Sequence, residues 1–276
     1  MQSRFSRQGA ADSVAPFSLW RLLLCSVLLS CPGISAAAGE CPAEHIDERA
    51  QVIHVFDGDT IKLQDGRRVR LIGINTPEMA RDDRHTEPFA NEARASLQAL
   101  LDNNNRTLLL QYGSDTHDHY GRLLAHAFLQ NGNNVASMLL KQGLATALVV
   151  APNTWAVDCY QRLEDAARIN RDGLWALEKY QARASTALPA NLRGFAIVYG
   201  NVIGARAEKH GLWIDLDGPL TLHINKRDRV NFSPGYLEQL KGHTVEVRGW
   251  IKSDRQGLRM NIQHPAALVT MTPEPG

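Results

Sequence analysis

Asp65-Gly66 lies between Thr60-Ile61-Lys62-Leu63 and Val69-Arg70-Leu71-Ile72, and this turn with its flanking runs constrains the chain more than any other feature. Asp-Gly readily adopts the turn conformations whose twist matches two antiparallel strands, so a hairpin is predicted here. Val52-Ile53-His54-Val55 before it, and Thr107-Leu108-Leu109-Leu110 and Leu123-Leu124-Ala125-His126-Ala127-Phe128 after it, read as further short strands. Helices are predicted over 88–101, 135–142 and 155–170. Thr86 and Thr154 stand where N-caps belong, Pro88 suits a first turn, and Asn103-Asn104-Asn105, Gly143 and Gly173 stand where the helices should stop. Phe89, Ala93, Leu97, Leu100 and Leu101 share one helical face, as do Val157, Tyr160, Leu163 and Ala167.

Beyond Pro189 the pattern changes to alternating runs at 194–204, 210–216, 219–225, 244–252 and 257–263, with one short helical piece, Tyr236-Leu237-Glu238-Gln239-Leu240, between the third and fourth. Five strands with a helix in that gap point to a small OB-like β-barrel. The fold class expected is mainly β with α (α+β), and the organisation is a first domain over 41–180, a linker over 181–192 and a barrel over 193–272. A chain of 276 residues with 44% apolar content is long enough to bury cores of this size.

The first 38 residues differ in kind. Arg4, Arg7 and Arg21 precede the apolar run Leu22-Leu23-Leu24-Cys25-Ser26-Val27-Leu28-Leu29, then come Pro32-Gly33 and Ala36-Ala37-Ala38. This reads as a secretory signal peptide cut after Ala38, placing the mature chain in the periplasm or outside the cell. A bilayer span needs about 20 apolar residues, and this run falls short. Leu28-Leu29-Ser30-Cys31 keeps a lipid anchor at Cys31 open as an alternative; otherwise no membrane association is expected. Cleavage would leave Cys41 and Cys159 in an oxidising compartment, where they are expected to pair, the alternative being two buried free thiols.

Cleavage also removes three arginines and one aspartate from 30 basic and 29 acidic residues, leaving 27 against 28. A general basic field therefore cannot attract a polyanion, and any nucleic-acid binding requires a local basic groove.

Asp57, Asp59 and Glu78 fall at the ends of strands joined by the hairpin, so they can converge. Oxygen ligands favour a hard cation, and calcium tolerates a loop-built site better than magnesium. Arg70 and Arg122 are able to fork onto phosphate oxygens. A cation, a free carboxylate and two guanidiniums are what phosphodiester hydrolysis requires. Each fragment alone reads as an ordinary turn or cap; the ordered combination does not.

That combination resembles the staphylococcal nuclease (thermonuclease) family: Asp57-Gly58-Asp59-Thr60, Arg70-Leu71, Thr76-Pro77-Glu78 and Asp118-His119-Tyr120-Gly121-Arg122 occur in its order and at similar spacing. The likeness covers about 51–175, and extends to Glu87-Pro88-Phe89-Ala90-Asn91-Glu92-Ala93, Lys141-Gln142-Gly143-Leu144-Ala145 and Gly173-Leu174-Trp175. It implies an OB-type barrel with flanking helices. It also implies cleavage of DNA and RNA to 3′-phosphate ends with little sequence preference. Asp59 would then be a direct calcium ligand, Asp57 a supporting acid, Thr76 a backbone ligand and Glu78 the general base, with Arg70 and Arg122 gripping the phosphate. Magnesium or manganese are the alternative ions.

Two departures qualify the likeness. Asn75 stands where the family carries a second aspartate, so weaker calcium binding or a shifted metal preference is expected. Leu148-Val149-Val150-Ala151 stands where the family has base-packing tyrosines, so base contacts are expected to be weaker or to come from elsewhere, with Tyr112 or Tyr120 as the candidates. Asp115-Thr116-His117-Asp118-His119 reads as a solvated loop rather than a histidine metal site, because its spacing fits no zinc pattern. His117 and His119 would add positive charge near the phosphate as pH falls toward about 6.5.

In 245–252, alternation places Val245, Val247, Gly249 and Ile251 inward and Glu246, Arg248, Trp250 and Lys252 outward. Trp213, His223, Arg259 and Gln263 fall outward on neighbouring strands, an arrangement expected of a single-strand stacking platform. The rival readings are a catalytically silent nucleic-acid-binding envelope protein and an adhesion module. Glu78, Arg70 and Arg122 separate the first rival from an enzyme, since a silent relative has no use for them. The expected partner is DNA and/or RNA, and no protein partner is identifiable.

Overall fold

The computed structural model describes residues 39–80, 85–254 and 257–271. The expected signal peptide, with Cys25, Cys31 and Ala38, lies outside the described residues. Strands β1 (Glu48–Val55), β2 (Thr60–Leu63) and β3 (Arg68–Leu71) form the predicted meander, with Ile61 opposite Val69 across the Asp65-Gly66 turn. After β4 (Ile74–Asn75) and helix α1 (Ala90–Asp102), β5 (Thr107–His117) and β6 (Leu123–Phe128) complete a closed barrel in the order β1-β2-β3-β6-β5. Its β3–β6 pairing is parallel, and β1–β5 closes it. Ile61, Leu63, Val69, Leu71, Leu108 and Leu110 fill the interior without exposure. Each such side chain contributes roughly 1.5–3 kcal/mol by leaving water.

Ala93, Leu97 and Leu101 of α1 cover one end of this core. Helix α2 (Val135–Lys141), β7 (Thr146–Ala147), which pairs with β4, and α3 (Val157–Asn170) follow. Asn134 caps α2 by accepting from Ser137 N at 3.1 Å. Two helix starts differ from expectation. α1 and α3 begin after Phe89 and Ala156, both in the left-handed region (φ 67° and 56°), with no side-chain cap. Thr86 Oγ1 is occupied by Ala80 N, and Thr154 offers Val157 its carbonyl rather than its hydroxyl. At the other end of α2 the expected stop holds: Gly143 (φ 64°) lies back to back with Gly173, and a Cβ on Gly143 would come within 2.2 Å of Asp172 O. Cys41 and Cys159 form a disulfide across a sequence separation of 118, tying the segment before β1 to α3.

β8 (Ala182–Ala184) pairs in parallel with β9 (Gly194–Glu208), and Leu188 is buried in the second core, so the stretch expected as a linker is held against the second sheet. β10 (Gly211–Leu216), β11 (Leu220–Asn225), helix α4 (Tyr236–Leu240), β12 (Thr244–Asp254) and β13 (Gly257–Asn261) follow, and β14 (Leu268–Thr270) adds to the edge of β12. The order β9-β10-β11-β13-β12, closed by β12 on β9, repeats that of the first barrel, again with a parallel third-to-last pairing. Both barrels thus have the OB topology expected.

A third apolar cluster, Ala167, Leu174, Trp175, Tyr180 and Ile197, joins α3 and its continuation to β9. Two ion pairs flank it. Arg168 forks onto Glu246, with Nη1–Oε1 2.6 Å and Nη2–Oε2 2.7 Å. Arg248 Nη1 meets Glu164 Oε2, whose side chain is 0% exposed. Arg248, expected as a nucleic-acid contact, is therefore turned into the seam between the barrels. Burial pushes the Glu164 carboxyl above its ordinary pKa, opposed by the adjacent Arg248 charge. Removing one partner of a buried pair costs about 3–5 kcal/mol because the other charge is left without compensation. Arg248→Met is accordingly expected to lower unfolding free energy by that order in urea denaturation. Adding Glu164→Gln should recover most of it; no recovery would show that the charge is not the cause.

Candidate active site

Asp57, Gly58 and Asp59 form the turn between β1 and β2, closed by Asp59 N donating to Asp57 Oδ1 at 3.2 Å. A Cβ on Gly58 would come within 2.7 Å of Thr76 Cγ2 and 2.8 Å of Ala93 Cβ, so glycine is what lets α1 and Thr76 pack onto this turn. Asp59 is the hub. Its Oδ2 accepts from Thr76 N at 2.8 Å and Thr76 Oγ1 at 3.0 Å, and pairs with Arg70 Nη2 at 3.1 Å. Its Oδ1 accepts from Thr60 Oγ1 at 3.1 Å. Arg70 also donates to Leu71 O and, at 3.3 Å, to Asn75 Oδ1. Three segments far apart in sequence are thereby fixed around one carboxylate.

Asp57 is buried beside that hub. Loss of water, then the Asp59 charge and then Glu78, push its pKa up to about 6. The cluster thus holds more negative charge than its surroundings offset. Its donors are oxygens: two carboxylates, the Thr76 carbonyl and the Asn75 amide. That chemistry fits a hard cation held by few protein ligands and water. Among the described residues no three His, Cys, Asp or Glu side chains gather into a metal cage. Asp59 Oδ2 faces Thr76 and Arg70, whereas its Oδ1 takes only the Thr60 hydroxyl among the described residues.

Arg70 and Arg122 line one cleft of about 230 Å³, much of whose remaining lining is aliphatic: Ile72, Ile74, Leu124, Leu148 and Val150. Asp118 aims Arg122. Its Oδ1 accepts from Tyr120 N and Arg122 N at 2.9 and 3.0 Å, and its Oδ2 accepts from Arg122 Nε at 2.7 Å. Neither Nη of Arg122 has a partner among the described residues, which leaves both to a ligand. His119 lines the same cleft and packs on Tyr120 with ring centroids 3.7 Å apart. Tyr120 is 74% exposed, with the Arg122 guanidinium 5.5 Å over its ring.

Glu78 lies apart from this cleft. It is exposed, its backbone N donates to Glu87 Oε2 at 3.1 Å, and with Asn75 it lines an adjoining groove. Tyr112 lines neither hollow: its hydroxyl donates to Glu48 on β1, correcting its expected role as a base contact. The stretch 115–117, expected in a loop, extends β5 to His117. The outward platform on the second barrel is also divided. Trp213 stacks on His223 at 4.0 Å and lines a hollow with Arg206 and Arg259, whereas Trp250 lines the groove shared with Glu78; Lys252 is simply exposed.

Asp118, which entered the sequence reading only as part of a motif, and Asn153 are positions lining the cleft to which sequence reasoning gave no role. Asn153 takes Asp115 N on Oδ1 at 2.9 Å and donates to Asp115 O at 3.1 Å, anchoring the cleft wall to β5. The Asp118-to-Arg122 spacing carried a signal for a turn that aims Arg122; Asn153 after Pro152 looked like any other turn residue.

A profile described as "Staphylococcal nuclease homologue" matches residues 68–177. Endonuclease YncB of Bacillus subtilis is 34% identical over 129 residues, 45% of this chain and 60% of that protein. The SPbeta prophage-derived endonuclease YokF of the same organism is 34% identical over 128 residues, 45% of this chain and 43% of that protein. Thermonuclease of Staphylococcus hyicus is 31% identical over 134 residues, 47% of this chain and 77% of that protein. The chain thus spans about half the length of the first two.

Because the folded chain holds the Asp57 proton more tightly than the unfolded chain, at about 3.9, Asp57 contributes stability below about pH 4 that is lost as pH rises through about 6. Asp57→Asn has no such proton to lose. In EDTA its unfolding free energy relative to the parent should rise between pH 4 and pH 7 by up to ~3 kcal/mol, from a shift of about two units. A pH-independent difference in chemical denaturation would contradict this.

Proposed function

This chain belongs to the staphylococcal nuclease homologue family, and from that membership we propose that it is an exported, metal-dependent nuclease. It hydrolyses phosphodiester bonds of DNA and/or RNA with little sequence specificity. The observation that carries this reading is the convergence of Arg70 and Arg122 on one cleft, with Arg70 bound to Asp59 of the Asp57/Asp59/Thr76 cluster and Glu78 in the groove that Asn75 also lines. The names endonuclease and thermonuclease borne by its relatives support it.

Phosphate oxygens seat against the free Nη atoms of Arg122 and the guanidinium of Arg70, and sugar and base lie along the aliphatic wall. As water adds to phosphorus from the side of the adjoining groove, its proton passes to Glu78, the general base. The bond from phosphorus to the 5′-oxygen breaks and that oxygen leaves with a proton from solvent, giving a 3′-phosphate end, while the two guanidiniums offset the charge growing on the equatorial oxygens. Asp59 and the Asn75 amide hold Arg70 in place throughout. A cation at Asp57, Asp59, Asn75 and the Thr76 carbonyl, with calcium the first choice over magnesium and manganese, would neutralise charge on the same phosphate. Tyr120 and His119 contact the nucleotide from the open side.

Digestion of DNA and RNA with calcium, with EDTA and with Glu78→Gln tests the reading. Glu78→Gln should lower kcat by about 10²–10⁴, and EDTA should abolish cutting. Intact substrate with the parent chain and calcium would favour the silent binding protein instead. Titrating calcium against thermal stability should show an upward shift that Asp59→Asn removes, and Asn75→Asp should reach it at lower calcium.

Export is supported by the signal-like residues 1–38 and by the Cys41–Cys159 disulfide, which suits an oxidising compartment. N-terminal sequencing of the mature chain should begin after Ala38, in periplasm or medium; a cytosolic chain retaining Met1 would refute this.

A further inference from the structure

The cleft between Arg70 and Arg122 is not the only hollow that reaches the candidate site. A groove of about 570 Å³ begins at Asn75 and Glu78 and is walled on its far side by Trp250 and Phe195 of the second barrel. That volume falls within the range of about 300–1,000 Å³ typical of ligand sites. Lys179, Arg183 and Arg193 line it, three cations against the carboxylates Glu78 and Glu87. In a mature chain whose net charge is close to zero, this is a local basic groove of the kind that binding a polyanion demands.

The cations differ in how far they are committed. Lys179 pairs with Glu87 at 2.9 Å, and Arg183 only approaches Glu178, at 3.9 Å. Arg193 is exposed and has no partner among the described residues. Beside it the Trp250 ring, 45% exposed, is braced edge-on by Phe195 with centroids 5.3 Å apart, and Phe195 in turn contacts Tyr180 at 5.7 Å. A rigidly held, half-open indole next to an unpaired guanidinium presents a stacking surface and a phosphate contact together.

We propose that this groove is a subsite for the single-stranded segment of nucleic acid running on from the scissile phosphate, with a base stacked on Trp250 and its backbone held by Arg193 and Arg183. This rests on the nuclease reading above. It assigns the second barrel a task at the active site: β9 and β12 contribute Phe195 and Trp250 to the groove, and the segment after α3 contributes Lys179 and Tyr180. Single strands are selected because a duplex keeps its bases paired and stacked on one another, out of reach of Trp250.

Binding of labelled oligothymidylates to the full chain in EDTA, read by fluorescence anisotropy, tests the groove without cleavage. The parent should bind an octanucleotide roughly tenfold or more tighter than a dinucleotide, since each stacked base adds about that much. Arg193→Glu and Trp250→Ala should each shrink this ratio several-fold, and the two together should bring it near one. Trp250→Phe, which keeps an aromatic face, should retain most of it and guards against a folding defect. An unchanged ratio in both single variants would overturn the proposal, as would equal competition by a duplex of the same length. A failed ratio alongside Glu78-dependent digestion sinks the groove alone; absent digestion with an intact ratio sinks the nuclease reading alone.

Discussion

The buried carboxylate of Glu164 is the point on which the arrangement of the two barrels depends. One oxygen accepts from Ala147 N at 2.7 Å and the other meets Arg248, so a single side chain joins β7 of the first barrel to β12 of the second. β7 in turn pairs with β4, setting Asn75 opposite Thr146. Thr146 Oγ1 reaches Asn75 O at 3.3 Å, and Asn75 Oδ1 accepts from Arg70. A buried pair adds little net stability over apolar packing, but a partner displaced from it leaves a bare charge. Together with the apolar cluster around Trp175 and the Arg168–Glu246 fork, the Glu164–Arg248 pair holds the second barrel against the strand that carries Asn75, and the groove lined by Glu78 and Trp250 lies along that seam.

Within the site the two aspartates occupy different electrostatic settings although one residue separates them. Asp59 collects donors from Thr60, Thr76 and Arg70, and its role is to hold three segments together. Asp57 has the Asp59 and Glu78 charges as neighbours and little water, and its proton is held correspondingly tightly. A divalent cation would answer that excess charge. Under the proposed function, Asp59 would both organise Arg70 and share a cation with Asp57.

Much of this was legible in the chain. Strand positions followed from alternation, and the five runs of the second half coincide closely with β9, β10, β11, β12 and β13. Less legible were the helix starts, because a cap assigned from Thr86 or Thr154 assumes that its hydroxyl has no better partner. Ala80 N supplied one for Thr86. Tyr112 looked available as a base contact until β1 brought Glu48 to its hydroxyl. Arg248 faces outward from its barrel as alternation required, but outward there means into α3.

The sequence by itself singled out the residues on which the proposed chemistry rests, namely the acids of the β1–β2 turn, Glu78 and the two arginines, and the cysteines expected to pair. It also determined where the strands lie and that β2 and β3 form a hairpin, through turn chemistry and two-residue periodicity, both of which act between near neighbours along the chain. The tertiary structure alone decided that Glu78 opens toward the second barrel rather than into the cleft of Arg70 and Arg122. It likewise decided that Trp250 and Trp213 serve different hollows, and that Arg248 is structural. Each of these depends on contacts between segments tens of residues apart, where burial and charge pairing choose among partners that local pattern leaves equivalent.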